Sequence, residues 1–324
     1  METSLKHDDK LAVSNLVEGI LDEIFSHRRK FEEDQHCLSQ KCVSCRAVHR
    51  TMIEYLIRKN LPISFILPAF PAKSMNRNKT AGPLPDMGEV LSLRFLNTLC
   101  DRIGSLYTPG ARLTICSDGR VFNDLVKVKD AYVALYAEAI KDIIERDKLT
   151  NLDLFNLEDF FGDIPFHMMR DNLTQHYAEP LAELKERTKN TIEDKLLFNG
   201  IHRFIFEDQS NMFDGCTKNK IKNITKDIAY QVIQRSNAWS KVIKQKFPSS
   251  IRLSIHPQPC QSEKIGIMLL KSNSTWVTPW HSVPVFNGSD YYLMKKSHAE
   301  KINAVPIMNN QGVFTHYEVS ANEF

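Results

Sequence analysis

Residues 62–89 read PISFILPAFPAKSMNRNKTAGPLPDMGE. Ile63, Phe65, Ile66 and Leu67 form a short apolar run stopped by Pro68, the pattern of a buried strand. Pro71 restricts Phe70 to extended geometry, so a stiff turn is expected there. Lys73, Arg77, Lys79, Asp86 and Glu89 then crowd among further prolines, and Met87 opens a helix. In open α/β sheets ligands sit outside the carboxyl ends of the strands, where such a loop lies. Arginine offers an anion a planar fork and lysine a point charge. The plainer alternative is a solvated, proline-stiffened surface loop.

The rest of the chain repeats the pattern. Ala111 to Cys116 reads as a second strand emptying into Asp118, Gly119, Arg120 and Asp124. Ile251 to Ile255 runs into His256, and Ile265 to Leu270 follows Lys264. Short strands near 283–286 and 291–295 flank an Asn287-Gly288 hairpin turn, just after His281. Helices are expected over 11–31, through Met52 to Ile57, over 87–101, from an Asp130 cap, and from Lys220 to Lys246. Residues 151–198 read as helical and irregular, and Ile201 to Phe206 as a strand after Asn199-Gly200. Helix–strand alternation followed by consecutive strands predicts an α/β mixed sheet, parallel at its centre with an antiparallel extension. The division expected is a helical segment over 1–44, a catalytic domain over 45–296 with a helical insertion around 151–198, and a loosely fixed tail over 297–324.

The 324 residues are 42% hydrophobic and 25% charged, with a formal net charge of +3. That charge is too small to argue for nucleic acid or a membrane surface. The chain shows neither a membrane-spanning apolar run nor a secretory leader, which makes cytoplasm the expected location. Seven cysteines are an odd number for a disulfide framework. Cys42-Val-Ser-Cys45, with Cys37 before it and His49 after it, has the spacing of a zinc half-site without a downstream partner pair. Reduced thiols at a helix start are the simpler reading. A nucleic-acid module built on this cluster and the basic helix is a second reading, which salt-sensitive binding would support.

If the strand ends converge, they gather cations for an anion, carboxylates for proton transfer and two histidines able to titrate near neutrality. No phosphate-binding Gly-Lys-Ser/Thr loop, dinucleotide fingerprint, nucleophile elbow or His-Glu-x-x-His motif is present. Cofactor-free acid–base chemistry on a phosphorylated, carbonyl-bearing substrate is the natural expectation.

Four blocks carry a family resemblance: LPAFPAKSMNRNKTAGPLPDMGE (67–89), YTPGARLTICSDGRVFNDLV (107–126), IRLSIHP (251–257) and TPWHSVPV (278–285). In this order the chain resembles the isocyanide (isonitrile) synthases, also called the pyoverdine/dityrosine biosynthesis family, from about Cys45 to Val285. It departs from the family at Met75, where proline is frequent. The resemblance implies a modified Rossmann-like fold and an enzyme that turns the α-amino group of L-tyrosine or L-tryptophan into an isonitrile. The added carbon would come from C2 of ribulose 5-phosphate, with no metal or nicotinamide and often with an Fe(II)/2-oxoglutarate oxygenase nearby in the pathway. The dityrosine branch implies an N-formyl product instead, and a non-catalytic binding member is a further alternative. On this reading Arg77 and Lys79 hold the sugar phosphate, and Arg120 and Lys264 the amino acid carboxylate. Lys73 serves the reacting centre or a carboxylate. Asp86, Glu89, Asp118 and Asp124 exchange protons, with His256 and His281 as carriers. Asp86 and Glu89 have a rival role as the cap of the helix at Met87.

Overall fold

A computed structural model describes residues 2–30, 37, 41–213, 215–272, 274 and 276–319. Its centre is a five-stranded sheet of β1 (Ile63–Leu67), β2 (Ala111–Cys116), β3 (Leu152–Phe155), β4 (Ile251–Ser254) and β5 (Lys264–Gly266). The order is β3-β2-β1-β4-β5 and every pairing is parallel, with Phe65 opposite both Leu113 and Ile251. Strands covered on both faces read as continuous apolar runs rather than alternations, which explains the ISFIL pattern of β1. The order reverses between β1 and β4, and such a switch point opens a crevice at the carboxyl ends of the strands.

Before the sheet come α1 (Glu2–Ser26) and α2 (Val43–Arg58). Between β1 and β3 lie α3 (Met87–Leu106), the single turn α4 (Gly119–Phe122) and α5 (Asp130–Arg146). A helical layer follows: α6 (Leu157–Phe161), α7 (Phe166–Tyr177), α8 (Leu181–Asn190), α9 (Ile192–Gln209) and α10 (Lys218–Lys246). A second sheet, ordered β7-β6-β9-β8, contains β6 (Val283–Phe286), β7 (Tyr291–Met294), β8 (Val305–Met308) and β9 (Phe314–Glu318), with α11 (Lys296–Lys301) between β7 and β8. Its pairings are antiparallel except β6 with β9. The antiparallel strands thus form a sheet of their own, and the tail expected to be loosely fixed supplies two of them. No described helix is long and apolar enough to cross a membrane.

Several local expectations are overturned. Ile201–Phe206 belongs to α9, because Phe198 and Ile205 bury one helical face against Ala229 and Ile233 of α10. Gly200 is no turn; a Cβ there would lie 2.7 Å from the ring of Trp276, so glycine admits the indole against the helix. The strand expected over 265–270 stops early, because Ile267 leaves β5 to bridge Arg28 and the Met268 N–H donates to the carbonyl of His27. Asp130 does not cap α5; Lys129 holds that position, and Asp130 accepts from Asn123 instead. Phe70 is not extended but left-handed, at φ 56°. Its ring is buried against Trp280 at 5.3 Å, and its carbonyl accepts from the Ser117 hydroxyl at 3.1 Å. A bulky residue in that region is held by its surroundings against local preference.

The loop from Pro68 to Asp86 is anchored by a buried ion cluster. Lys73 is 1% exposed, and its Nζ lies 2.7 Å from Asp86 Oδ2, 2.9 Å from Glu89 Oε2 and 2.8 Å from the Pro279 carbonyl. Asp86 and Glu89 form the capping box of α3: Asp86 Oδ1 accepts from the Gly88 N–H, and Glu89 Oε2 from the Asp86 N–H. The Tyr136 hydroxyl donates to Glu89 Oε1 at 3.1 Å. The cap reading of these carboxylates is therefore correct, and both also face the Lys73 ammonium. Removing one partner of a buried ion pair costs about 3–5 kcal/mol, because the other charge stays behind without compensation. Lys73→Met is accordingly expected to lower unfolding stability by about that amount in denaturant titrations, and a loss below about 1 kcal/mol would contradict the cluster's role.

Candidate active site

The carboxyl ends of β1, β2 and β4 open into one cleft of two lobes. The first lobe runs between Pro71–Met75, the Asp118 turn, α9 and the Trp276–His281 segment. The second extends over Arg252, Ser254, Pro257 and Lys264. Asp118, His256, Trp276, Ile201 and Val232 line both lobes and stand where they meet. The first lobe is mostly apolar, walled by Phe122, Phe204, Ile205 and Trp280. Gly119 permits the Asp118 turn to lie here, since a Cβ would fall 2.0 Å from the Pro71 carbonyl oxygen.

The cleft gathers five of the expected proton-transfer or charged residues: Lys73, Asp118, His256 and His281 in the first lobe and Lys264 in the second. The histidines do not titrate near neutrality as expected. Burial pushes His256 down to about 3, with Arg29 and Lys264 adding to the effect, and no partner reaches its buried Nδ1. Burial pushes His281 down to about 4 despite Asp208, whose Oδ2 lies 3.7 Å from its Nε2. Its Nδ1 is 3.2 Å from Thr278 Oγ1, and its ring stacks on Phe204. Both rings are therefore neutral at pH 7 and serve as bases or hydrogen-bond partners. Asp118 takes the titrating role: burial raises its carboxyl to about 6, its own backbone N–H and Arg252 only partly opposing, and Oδ1 has no hydrogen-bond partner.

Lys73 lines the cleft but has no donor to spare, because its three N–H groups face Asp86, Glu89 and the Pro279 carbonyl. Burial alone would lower its pKa; Asp86 and Glu89 outweigh this and raise it, so the ammonium stays charged. Burial, with repulsion from Glu89, holds Asp86 well above the usual carboxylate range against the pull of Lys73. The trio is a scaffold below the cleft floor. Lys79 is likewise buried, 2.6 Å from Asp208 Oδ1 and 3.1 Å from Glu207 Oε2, and supports the His281 wall from behind.

Three expected residues point elsewhere. Arg77 is exposed and donates to the Ala81 carbonyl. Arg120 pairs with Asp130 and Glu158 and covers the Phe166 ring at 3.5 Å. Asp124 is held by Arg235 at 2.7 Å and by Arg170 at 3.6 Å, joining α4 to the helical layer.

The residue most clearly missed is Arg252. Its Nη2 donates to Ser240 Oγ at 3.1 Å, while Nη1 is buried without a partner in the second lobe. Burial lowers its pKa to about 10, and Lys264, exposed at the start of β5, lies beside it in the same lobe. The two cations give this half-closed lobe an anion-binding side, facing the lining carboxylates Glu193 and Asp194. The sequence signal was a charge inside a strand of a parallel sheet, where apolar residues are the rule. Asp208 was missed because it lies just past the strand expected over Ile201 to Phe206, and Trp276 because no motif marks a wall residue.

The Asp118 shift has a stability consequence. A carboxyl raised in the folded state favours folding while protonated, and this advantage is lost as pH rises from the unfolded value near 4 through about 6. Asp118→Asn is expected to match the parent near pH 4, gain stability between pH 4 and 6, and stay ahead by about 2–3 kcal/mol above that. Denaturant midpoints across pH 4–8 check this; equal stability of the two proteins at pH 8 would place Asp118 in a solvated setting.

Comparison with known proteins agrees with this architecture. The crystal structure of PvcA from Pseudomonas aeruginosa superposes with a TM-score of 0.88 at 39% identity, covering 94% of this chain and 99% of that one. The L-tryptophan isonitrile synthase AmbI2 of Fischerella ambigua is 47% identical over 293 residues, 90% of this chain and 89% of its own. The L-tyrosine isonitrile synthase of Pseudomonas aeruginosa is 39% identical over 320 residues, 96% of each chain. Residues 53–305 match the profile of the family described as "Pyoverdine/dityrosine biosynthesis protein". With its switch-point cleft, its capped loop and these similarities, the chain belongs to the isocyanide synthase, or pyoverdine/dityrosine biosynthesis, family.

Proposed function

We propose that this protein is an isonitrile synthase that converts the α-amino group of L-tryptophan or L-tyrosine to an isocyanide, taking the added carbon from C2 of ribulose 5-phosphate. The observation that carries the reading is the two-lobed cleft with Asp118 and His256 at its junction. The apolar lobe of Phe204, Trp276 and Trp280 suits an indole or phenol ring, and the names of the relatives point to the same two amino acids. Arg252 and Lys264 of the second lobe, set beside its lining carboxylates Glu193 and Asp194, would hold the sugar phosphate. An amine held in one lobe and a ketose in the other would meet beside Asp118.

The amine would add to the C2 carbonyl and lose water to give an imine. Asp118, raised to about 6, can give a proton to the departing hydroxyl and take one back from carbon or nitrogen near neutral pH. Neutral His256 offers a second base at the same junction, and His281 one at the Phe204 wall. Further proton transfers would accompany phosphate loss and cleavage of both carbon–carbon bonds at C2. This arrangement moves the anion role from Arg77, Lys79 and Arg120 to Arg252 and Lys264, and leaves Lys73, Asp86, Glu89 and Asp124 to support the site. An iron-dependent oxygenase of the pathway would act on the released product.

The test is incubation of the full-length protein, without added metal, with each amino acid and ribulose 5-phosphate labelled at C2. Mass spectrometry is expected to find the label in an isonitrile that reacts with a tetrazine. A labelled N-formyl amino acid formed without passing through the isonitrile would favour the dityrosine-type reaction. Folded protein that yields no labelled product with either amino acid would overturn the proposal.

A further inference from the structure

Away from the cleft, four cysteines that are far apart in sequence come together. Cys42 precedes the first residue of α2, Cys45 lies in its first turn, Cys37 approaches from the segment before it, and Cys260 arrives from the turn between β4 and β5. All four sulfurs lie within 4.8 Å of one another. Cys37 and Cys45 are 3.3 Å apart, Cys45 and Cys260 3.5 Å, and Cys42 and Cys260 3.8 Å. A disulfide needs ~2.05 Å, and none of the seven cysteines forms one. A tetrahedral zinc tetrathiolate with bonds of ~2.3 Å has sulfur–sulfur edges of ~3.8 Å, close to what is found.

Hydrogen-bond donors and a helix amino end face the sulfurs. Arg28 Nη1 lies 2.8 Å from Cys37 Sγ, and the Gln261 backbone N–H donates to Cys45 Sγ at 3.3 Å. Cys42 and Cys45 stand at the amino end of a sixteen-residue helix, whose dipole favours negative charge. His49, which the sequence spacing suggested as a ligand, instead turns its ring to the Ser262 backbone and packs on Phe25. The fourth ligand is Cys260, which no sequence spacing could announce because the fold brings it from 215 positions beyond Cys45.

We infer that Cys37, Cys42, Cys45 and Cys260 bind one Zn²⁺ ion in a closed structural site. Zinc binding would replace the four thiol protons, giving a tetrathiolate of net charge −2 that Arg28 and the α2 amino end offset. Four protein ligands leave no open position, so the ion takes no part in the isonitrile chemistry, and the inference does not depend on that reading. Its effect on the cleft is mechanical. The site fastens the segment before α2 to the turn that follows Ile255 and His256, two residues of the cleft wall. The same turn is strapped from the other side, where Arg29 donates to the Ile255 carbonyl at 2.8 Å and Lys30 bridges Gln258.

The experiment uses the full chain purified without chelator. Elemental analysis is expected to give about one zinc per chain, released as about four thiols react with an organomercurial in the presence of a chromogenic chelator. Cobalt-substituted protein should show the intense visible bands of a tetrahedral tetrathiolate. Cys260→Ser should lose zinc while Cys216→Ser, outside the cluster, keeps it; if Cys260→Ser does not fold, the thiol titration of the parent protein decides the matter. Metal below about one tenth per chain after growth with zinc, a disulfide among these four cysteines in the native protein, or iron in place of zinc would each overturn the inference.

Discussion

The rest of the structure depends on one buried ammonium. Lys73 sits beneath the loop that leaves β1 and spends its three donors on the cap of α3 and on the Pro279 carbonyl. It thereby joins three walls of the cleft: its own loop, the helix that packs beside the sheet, and the Thr278–His281 turn carrying Trp280 and His281. Two ionised carboxylates facing a single cation would leave net negative charge in a dry interior, and burial with repulsion from Glu89 accordingly pushes the Asp86 carboxyl up while the Tyr136 hydroxyl donates to Glu89. Buried ion clusters are weak devices for raising stability, but they demand a single geometry. Here that geometry fixes a loop of prolines and charges that no regular backbone pattern would hold.

With the scaffold charges satisfied among themselves, the groups facing the cleft are few and chemically distinct. Two histidines are neutral, one carboxyl titrates near 6, and one guanidinium has a donor unused. Arg252 and Asp118 interact across the junction, each moderating the cost of the other's burial. An anion bound at Arg252 would remove part of that support and raise Asp118 further, which couples phosphate binding to readiness for proton donation.

Much of this was legible in the chain. A buried strand cut by proline and followed by charges is readable because apolar runs and prolines act locally, and the same logic located the Asp118 and His256 turns. The Asp86–Glu89 cap was readable from its spacing. What could not be read was which charges face each other. Arg77, Arg120 and Asp124 share the composition of a binding loop, yet Arg120 and Asp124 are neutralised by Glu158, Asp130, Arg235 and Arg170, partners that only the tertiary fold supplies, and Arg77 turns outward. Arg252 and Cys260 were overlooked for the converse reason: each gains its meaning from residues far away in the chain. The segment over 201–206 was misread because six apolar-rich residues fit a strand as well as a helical turn, and Gly200 looked like punctuation when it was making room for Trp276.

The most direct measurement is a crystal structure of the Asp118→Asn variant with L-tryptophan and ribulose 5-phosphate bound. The account requires the phosphate on Arg252 and Lys264, the indole in the lobe of Trp276 and Trp280, and C2 of the sugar beside residue 118. A phosphate held instead by Arg77 or Arg120, with the second lobe empty, would contradict it.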